Sequence, residues 1–331
     1  MQLVKVSTLT GHRAKVTCLA AGYDARGGLL VSGSEDKTCR LWDSRTNKAV
    51  SGILGFASDI TAVDFAGANG LVAACDSAIY VYDQRSMGVV ASATKAAVSA
   101  VAVAAEIQAI STRGDFIAYV DEDGQLGVFD CSEEVLAEFA GKHDALAACV
   151  AFHPQNPEIA SGGFDRQALV WDMAGESVKR KYSASVENVS SGKSINPPFV
   201  YALDFSPMGD GALITGHADG RIMCFKDEAP TICWLDCHSY SISALRSVWS
   251  NPDLIATAGL DRTLKIWDAD ELADPAVENE EEQGDAAVFS EDQPVLASVS
   301  LSSKPDTLAT SFTSPIIYTD QESDIVAYSF A

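Results

Sequence analysis

Three sets of side chains in the sequence have the composition of a hydrolytic active site. In each set a hydroxyl residue precedes an aspartate by four positions, and the aspartate precedes a tryptophan by six. With their histidines, the sets are His12, Ser32, Asp36 and Trp42; His143, Ser161, Asp165 and Trp171; and His238, Thr257, Asp261 and Trp267. A hydroxyl activated by histidine and aspartate is the nucleophile of many hydrolases. Repetition at constant spacing instead favours a structural role in each copy, so we expect no catalytic residues and no enzyme.

Metal and phosphate sites are the next candidates for chemistry. The segment from Cys233 to His238 contains Cys233, Cys237 and His238. A zinc site needs about four convergent ligands, and the sequence has no second paired cluster. Gly192-Lys193-Ser194 resembles the end of a phosphate-binding loop, but Glu187 stands where that loop needs glycine. We therefore expect no metal site and no cofactor.

The elements that position these side chains form a repeat. Six segments end in an aromatic residue followed by a charged one, at intervals of 40, 47, 42, 54 and 42 residues. The endings are Trp42-Asp43, Tyr82-Asp83, Phe129-Asp130, Trp171-Asp172, Phe225-Lys226 and Trp267-Asp268, and six positions before each aromatic residue stand Asp36, Asp76, Asp123, Asp165, Asp219 and Asp261. A seventh, degraded copy ends near Tyr328, with Glu322 at the aspartate position. Short β-branched and aromatic runs separated by turn residues predict β-sheets with few helices.

Units of this period that start with Gly-His and finish with Trp-Asp are typical of WD repeats. The sequence resembles the WD-repeat (WD40) family over essentially its whole length, best from Gly11 to Asp43, from Gly141 to Asp172 and from His238 to Asp268. The resemblance implies an all-β, seven-bladed β-propeller in one domain, residues 1–331, with blades ending near positions 43, 83, 130, 172, 226, 268 and 329. It also implies that each histidine, hydroxyl, aspartate and tryptophan set forms a buried hydrogen-bonded network.

The start of the chain is predicted to close the ring. Leu3 to Leu9 precede the first Gly-His pair and have no blade of their own. We expect them to supply the outer strand of the last blade, whose inner strands come from about Asp292 to Phe330, because this pairing covers exposed strand edges. Lys226 in place of the terminal aspartate, and the missing loop histidine in blades two, three and five, predict weaker local stability.

The charge of the chain excludes one large class of partners. The 331 residues contain 23 Lys and Arg against 46 Asp and Glu, a formal net charge of −23. Such an acidic protein repels phosphate backbones, so we expect protein partners, basic ones above all, and no direct nucleic-acid binding. The N-terminal residues lack an apolar signal segment, no apolar stretch is long enough to span a membrane, and the eight cysteines lie mostly in strand-like runs. These features predict a cytoplasmic or nuclear protein without membrane partners.

Two inserts exceed the repeat length. Residues 176–198 contain Lys179-Arg180-Lys181 and a serine-rich run, which predicts a flexible loop; the basic triplet is either a docking or localisation signal or a solvated loop tip. Residues 270–291 are acidic and contain no Lys or Arg, which predicts a mobile stretch around Asp274 to Asp285. This stretch either receives a basic partner such as a histone tail or serves as a solubilising linker.

The last motif lies on neighbouring repeats, at Asp43-Ser44-Arg45 and Asp83-Gln84-Arg85. In the WD-repeat family, substrate receptors of cullin-4 ubiquitin ligases carry such Asp-x-Arg endings and dock through them on the ligase adaptor. The resemblance implies an adaptor-binding rim at Asp43, Arg45, Asp83 and Arg85; alternatively, each pair closes its own blade corner. The predicted function is a non-catalytic scaffold that recruits substrates to a cullin-4 type ubiquitin ligase, with a histone or chromatin-binding module as the alternative.

Overall fold

The computed structural model describes the whole chain except residues 23–27, 186–195, 207–210, 227–230, 275–280, 284–285, 291–292, 312–313 and 331. The first strands are β1 (Leu3–Thr10), β2 (Val16–Gly22), β3 (Leu29–Ser34), β4 (Thr38–Asp43), β5 (Lys48–Leu54), β6 (Ile60–Ala66), β7 (Gly70–Cys75), β8 (Ala78–Asp83), β9 (Val90–Ser92), β10 (Ser99–Ala102), β11 (Ile107–Arg113), β12 (Phe116–Asp121), β13 (Leu126–Asp130), β14 (Val135–Glu138), β15 (Ala147–Phe152), β16 (Glu158–Gly163), β17 (Gln167–Asp172) and β18 (Ser177–Ser183). They are followed by β19 (Val200–Phe205), β20 (Leu213–His217), β21 (Ile222–Phe225), β22 (Thr231–Trp234), β23 (Ile242–Ser247), β24 (Leu254–Gly259), β25 (Thr263–Asp268), the helix α1 (Ala269–Ala273), β26 (Glu281–Gln283), β27 (Ala286–Phe289), β28 (Val295–Ser300), β29 (Leu308–Thr310), β30 (Ile316–Gln321) and β31 (Asp324–Phe330). Over these residues, no helix has the length and apolar character needed to cross a membrane.

The strands form seven sheets that succeed one another along the chain, which confirms the predicted seven-bladed β-propeller. The blades are β2 to β5 with β9; β6, β7, β8 and β10; β11 to β14; β15 to β18; β19 to β22 with β27 and β26; β23, β24, β25 and β28; and β29 to β31 with β1. The predicted closure is also confirmed, because β1 pairs antiparallel with β31, from Leu3 opposite Phe330 to Thr10 opposite Asp324. The predicted start of the last blade near Asp292 is wrong, because β28 pairs with β25 as the outer strand of the sixth blade and the last blade begins with β29.

The aromatic-aspartate endings lie at the end of the third strand of each sheet, not at its outer edge. Asp43, for example, is the last residue of β4, and the outer strand β5 follows it. The predicted boundary positions therefore mark third strands. The sequence repeat is displaced from the sheet by one strand, and this displacement leaves β1 to complete the last blade.

The apolar core lies between neighbouring blades. Trp42 of the first blade packs with Leu9, Tyr318 and Ile325 of the last blade. Inner strands are buried on both faces: all six residues of β16 are buried, whereas outer strands such as β5 are half exposed. This burial explains why the inner strands read as nearly continuous apolar runs.

Two connections return to the preceding blade and add strands to it. Between β8 and β10, the strand β9 pairs parallel with β5 of the first blade. Between β25 and β28, the strand β27 pairs parallel with β22 of the fifth blade and antiparallel with β26. Within the predicted mobile acidic stretch, residues 281–283 form the strand β26, and residues 275–280 and 284–285 lie outside the described part.

The predicted flexible loop at residues 176–198 is wrong for residues 177–183. Residues 177–183 form β18, the outer strand of the fourth blade. Tyr182 stacks on Phe225 of the next blade with ring centroids 4.6 Å apart, so this strand is anchored by packing. Residues 186–195, which contain most of the serine-rich run, lie outside the described residues.

Candidate functional site

The fourth blade brings together one complete set of the repeated side chains. His143 Nδ1 donates to Asp165 Oδ2 at 2.9 Å, the Ser161 hydroxyl donates to His143 Nε2 at 2.7 Å, and Trp171 Nε1 donates to Ser161 Oγ at 2.8 Å. His143, Ser161 and Trp171 are buried. The serine oxygen thus uses its donor and an acceptor within the blade and cannot reach a substrate, so this set stabilises the blade.

The first and sixth blades repeat this geometry. For His12, Ser32, Asp36 and Trp42 the imidazole-carboxylate, imidazole-hydroxyl and indole-hydroxyl distances are 3.0, 2.7 and 2.8 Å. For His238, Thr257, Asp261 and Trp267 they are 3.0, 2.8 and 2.7 Å. Both blades add a threonine hydroxyl that donates to the aspartate at 2.6 Å, from Thr38 and Thr263.

The networks fix the charge states of their members. Burial is the largest influence on His12 and His238, and it lowers the pKa of both imidazoles although the neighbouring carboxylates oppose it. Burial acts to raise the pKa of Asp36, Asp165 and Asp261, but the hydrogen bonds they accept outweigh it and lower the pKa. The networks of the first and sixth blades therefore hold a neutral imidazole against an ionised carboxylate.

The fifth blade contains a network that the sequence pattern missed. It lacks the loop histidine, but His217 from strand β20 takes its place: Thr215 Oγ1 lies 2.8 Å from His217 Nε2, and His217 Nδ1 lies 3.3 Å from the Pro198 carbonyl. Burial lowers the pKa of His217 to about 4. Asp219, at the repeated aspartate position, instead accepts from Arg221 Nε at 2.6 Å, and both residues are buried. Thr215 and His217 are two residues apart on one strand and so share a face, which is the signal that identifies this pair.

The repeated aspartate has a different environment in the second and third blades, where Asp76 and Asp123 are exposed. Asp76 and Glu322 themselves adopt positive φ, 55° and 63°. In the complete networks it is the following residue that does so: Lys37, Arg166 and Arg262. The turn therefore shifts by one residue in blades two and seven, which moves the acidic side chain away from the network position.

The Asp-x-Arg rim, defined as Asp43, Arg45, Asp83 and Arg85, consists of two similar turns. In the first turn, Arg45 Nε and Nη2 donate to Asp43 at 3.1 and 3.0 Å, and the Arg45 side chain is 61% exposed. In the second turn, Arg85 Nε and Nη2 donate to Asp83 at 3.0 and 2.8 Å, and the Arg85 side chain is 71% exposed. The hydrogen bond from each arginine lowers the pKa of its aspartate. Each ion pair lies within one turn, and much of each arginine remains open to solvent.

Both turns lie at the same end of their blades. Ser44 N donates to the Gly28 carbonyl at 2.7 Å, and Gln84 N donates to the Asn69 carbonyl at 2.9 Å. Gly28 precedes the second strand of its blade and Asn69 does the same in the next blade, so both turns contact the loops between first and second strands. The Asp-x-Arg rim therefore presents two arginines on one face of the disc, from adjacent blades.

The cysteine and histidine segment of the fifth and sixth blades has structural roles. Cys233 and Cys237 are buried, the Cys237 thiol donates to the Trp234 carbonyl, and His238 belongs to the network of the sixth blade. Burial raises the pKa of Cys233 to about 11. Within the described part of the chain, no three His, Cys, Asp or Glu side chains converge as a metal site would require.

The basic triplet is largely neutralised. A bulge in β18 turns Lys179 and Arg180 toward Glu158, whose carboxylate lies 2.5 Å from Lys179 Nζ and 2.6 Å from Arg180 Nη2. Glu158 is buried, so this carboxylate needs both cations. The interpretation of the triplet as a solvated loop tip is therefore wrong, because its residues lie in a strand; Lys179 and Lys181 are exposed, but Lys179 is paired with Glu158.

Part of the acidic insert packs against the fifth blade. Leu272 of α1 is buried, and its carbonyl accepts from Trp234 Nε1 at 3.0 Å. Phe289 of β27 stacks on the same indole, with ring centroids 4.7 Å apart. Asp270 and Glu271 remain exposed on the first turn of the helix. The insert therefore has an anchored apolar side and an acidic outer side.

Charged side chains face a cavity in the central channel of the propeller. Asp64, Asp204 and Arg246 line a cavity of about 370 Å³ there. Burial raises the pKa of Asp64 to about 6 and also raises that of Asp204. Sequence reasoning missed these residues, because each blade contributes a single side chain to the cavity at this level.

Comparisons with known proteins agree with this architecture. Residues 3–43, 134–172 and 230–268 match the WD domain, G-beta repeat family, so the chain carries WD40 repeats, as the sequence resemblance implied. The chain is similar to a WD repeat-containing protein 53 homolog of Dictyostelium discoideum, at 23% identity over 80% of this chain and 77% of that protein. It is also similar to a 66 kDa stress protein of Physarum polycephalum, at 23% identity over 78% of this chain and 47% of that protein. With WD repeat-containing protein 37 of Homo sapiens it shares 27% identity over 51% of this chain and 34% of that protein. The chain thus spans about half or less of the last two relatives.

Proposed function

Because this chain is a seven-bladed propeller that carries WD40 repeats, we propose that it is a non-catalytic scaffold for protein-protein interactions, and that it recruits substrates to a cullin-4 type ubiquitin ligase. The observation that carries the second part is the Asp-x-Arg rim, with Arg45 and Arg85 exposed on one face of adjacent blades. Such a receptor works in the cytoplasm or nucleus, where its eight cysteines remain reduced.

The geometry of the rim supports a docking role. Each guanidinium is held by two hydrogen bonds to the aspartate of its own turn, so its position is set before a partner arrives. Ordering a free arginine at an interface costs roughly 0.5–1.5 kcal/mol of side-chain entropy, and a preorganised one loses less. The solvent-exposed edge of each guanidinium, away from its aspartate, suits a carboxylate or carbonyl group across an interface.

The Arg45→Ala, Arg85→Ala double variant tests this proposal. Truncating an arginine that becomes desolvated in an interface typically costs roughly 2 kcal/mol or more, so recovery of the cullin-4 adaptor in co-purification should fall at least tenfold. The melting temperature should stay unchanged, because exposed ion pairs add little to stability. A matched control is the Arg13→Ala, Arg166→Ala double variant, which removes the same charge from exposed residues near the opposite end of the blades.

Two results would contradict the ligase-receptor role. One is normal adaptor recovery by the folded Arg45→Ala, Arg85→Ala variant. The other is an equal loss in the Arg13→Ala, Arg166→Ala control, which would indicate a general charge effect. Unfolding of the rim variant would instead identify the two arginines as clamps of their own turns.

The alternative function, a histone or chromatin-binding module, rests on the acidic surface. Asp270 and Glu271 are exposed beside the described end of the acidic insert, and the net charge is −23. Binding of histone-tail peptides should then weaken steeply with added salt, because exposed charges are screened within about 8 Å at physiological ionic strength. Asp270→Asn, Glu271→Gln is the suitable variant, since it keeps the packed Leu272 in place. No peptide binding at low salt would exclude this alternative.

A further inference from the structure

The central cavity receives one side chain from every blade at an equivalent strand position. These residues pair with the second strand of their own blade in the same register: Ala20, Asp64, Ser111, Ala151, Asp204, Arg246 and Ala309. Together with flanking apolar side chains they line the channel cavity of about 370 Å³. A cavity of this size, in which charged and polar side chains lie beside apolar ones, is a candidate ligand site.

The two carboxylates of the channel cavity are already used to join blades. Asp64 accepts the backbone N–H of Phe65 at 2.8 Å and that of Thr112, in the next blade, at 3.0 Å. Asp204 accepts the N–H of Phe205 and that of Ser247, also in the next blade, at 2.9 Å each. Every oxygen of the two carboxylates therefore has a backbone donor.

Two guanidinium groups line the cavity, and Arg246 is the one with more hydrogen-bonding capacity to spare, because Arg113 already donates to the carbonyls of His153 and Asn156 and to Met173 Sδ. Its one hydrogen bond to described residues runs from Nη1 to the Leu245 carbonyl at 3.1 Å, and no described carboxylate lies within 4.0 Å of its guanidinium. Its positive charge nevertheless acts to lower the pKa of Asp64, Cys149 and Asp204, which belong to blades two, four and five. A cation that influences three blades lies well inside the channel.

The mouth of the channel cavity faces the same side as the Asp-x-Arg rim. Gly67, Gly114 and Trp249 line the cavity and lie in loops between first and second strands, at the same end of the blades as the two loops that the rim turns contact. Trp249 is 44% exposed and offers an apolar surface at this mouth. A protein segment that approaches this face therefore meets an indole first and a guanidinium deeper in the channel.

We propose that the channel cavity binds the carboxylate of an acidic peptide through the Arg246 guanidinium. A planar carboxylate matches the arginine fork and can accept two parallel N–H groups. A basic side chain would meet the Arg246 charge and find both carboxylates already bonded. A phosphate would bring a second negative charge beside Asp64 and Asp204. The proposal is independent of the ligase role, because it concerns the channel and not the rim.

Three short alanine-glycine peptides test the proposal and separate the two sources of a carboxylate. One has blocked ends and a single glutamate, one has no acidic side chain but a free C-terminus, and one has blocked ends and glutamine. Calorimetric titration should give saturable binding for one or both carboxylate peptides and none for the glutamine peptide. A result in which neither carboxylate peptide saturates, or in which the glutamine peptide binds as tightly, overturns the proposal.

Variants of the protein complete the test. Arg246→Met keeps the length of the side chain but removes the fork, and affinity should fall at least tenfold, as expected on losing one partner of a charge-assisted pair. Arg166→Met, on the opposite face, removes the same charge and should bind within about twofold of the unmodified chain. If Arg246→Met fails to fold, Arg246→Lys keeps the charge without the bidentate geometry and should still lose several-fold. Unchanged binding by a folded Arg246 variant overturns the proposal.

Discussion

Replacing Asp165 with alanine should lower the free energy of unfolding by about 2–4 kcal/mol. The carboxylate accepts from His143 Nδ1 at 2.9 Å and from the backbone N–H groups of Asp144 and Gln167 at 3.1 Å each. The variant leaves the buried His143 N–H without its acceptor, and the imidazole then no longer positions the Ser161 hydroxyl beneath the tryptophan. Urea denaturation and thermal melting measure the loss.

Asp123→Ala is the matched control for this experiment. Asp123 stands six positions before the aromatic residue of its repeat, as Asp165 does, but it is exposed in the third blade. Its replacement should change the free energy of unfolding by no more than about 0.5 kcal/mol, as is usual at the surface. Equal losses in the two variants would mean that the hydrogen-bonded network of the fourth blade adds no stability of its own.

The fold could be predicted because residues of the same type recur at regular spacing along the sequence. An aromatic residue followed by a charged one, as in Trp42-Asp43, recurs at nearly constant intervals. The turn before it carries an acidic residue at the same distance in every blade. Leu3 to Leu9 stood alone before the first repeat, so a ring with one missing outer strand was the consistent arrangement. The pairing of β1 with β31, which closes the ring, agrees with this arrangement.

The spacing rule was less informative about individual networks. His217 lies in the second strand of its blade and not in the preceding loop, so the loop-histidine pattern does not include it. Asp76 and Glu322 keep the spacing to the aromatic residue, but their turns are shifted by one residue. A one-residue shift in a turn does not change the repeat pattern, yet it redirects the side chain.

Contacts between blades were not readable from the sequence. The strands β9 and β27 pair parallel with strands of a preceding blade, and parallel pairing of distant segments has no local signal. Lys179 and Arg180 read as solvated because their partner, Glu158, lies about twenty positions earlier on another strand. Arg246 was missed for the same reason, since its neighbours Asp64 and Asp204 come from other blades.

The seam between the last and first blades contains a carboxylate that should make stability depend on pH. Asp320 is buried, its Oδ1 accepts the backbone N–H groups of Asp306 and Thr307 at 2.9 and 2.8 Å, and its Oδ2 has no partner among the described residues. The side chains of Asp306 and Thr307 then cross the seam: Asp306 pairs with Lys15, and Thr307 Oγ1 accepts from Leu19 N at 3.2 Å. Asp320 therefore positions the residues that hold the ring closed.

The direction of the pH effect follows from the surroundings of Asp320. Burial raises its pKa from 3.8 to about 7, Asp306 adds to the rise, and Lys15 opposes it. The folded chain thus retains a proton that the unfolded chain releases. Stability from this group is fully present below the unfolded pKa and is lost as the pH rises through about 7.

Asp320→Asn should remove this loss, because the amide keeps the shape of the protonated acid but cannot ionise. The difference in free energy of unfolding between Asp320→Asn and the unmodified chain should therefore grow in favour of the variant by on the order of 2–3 kcal/mol from pH 5 to pH 8. The contributions of His12, His217 and His238, whose pKa values burial lowers, are common to both proteins and cancel in this difference, as does that of Asp64, whose pKa burial raises. Urea titrations at a series of pH values give the difference directly, and Asp123→Asn, at an exposed position, should leave it flat. A flat difference for Asp320→Asn as well would mean that Asp320 ionises as readily in the folded chain as in the unfolded one, and would contradict the predicted pH dependence.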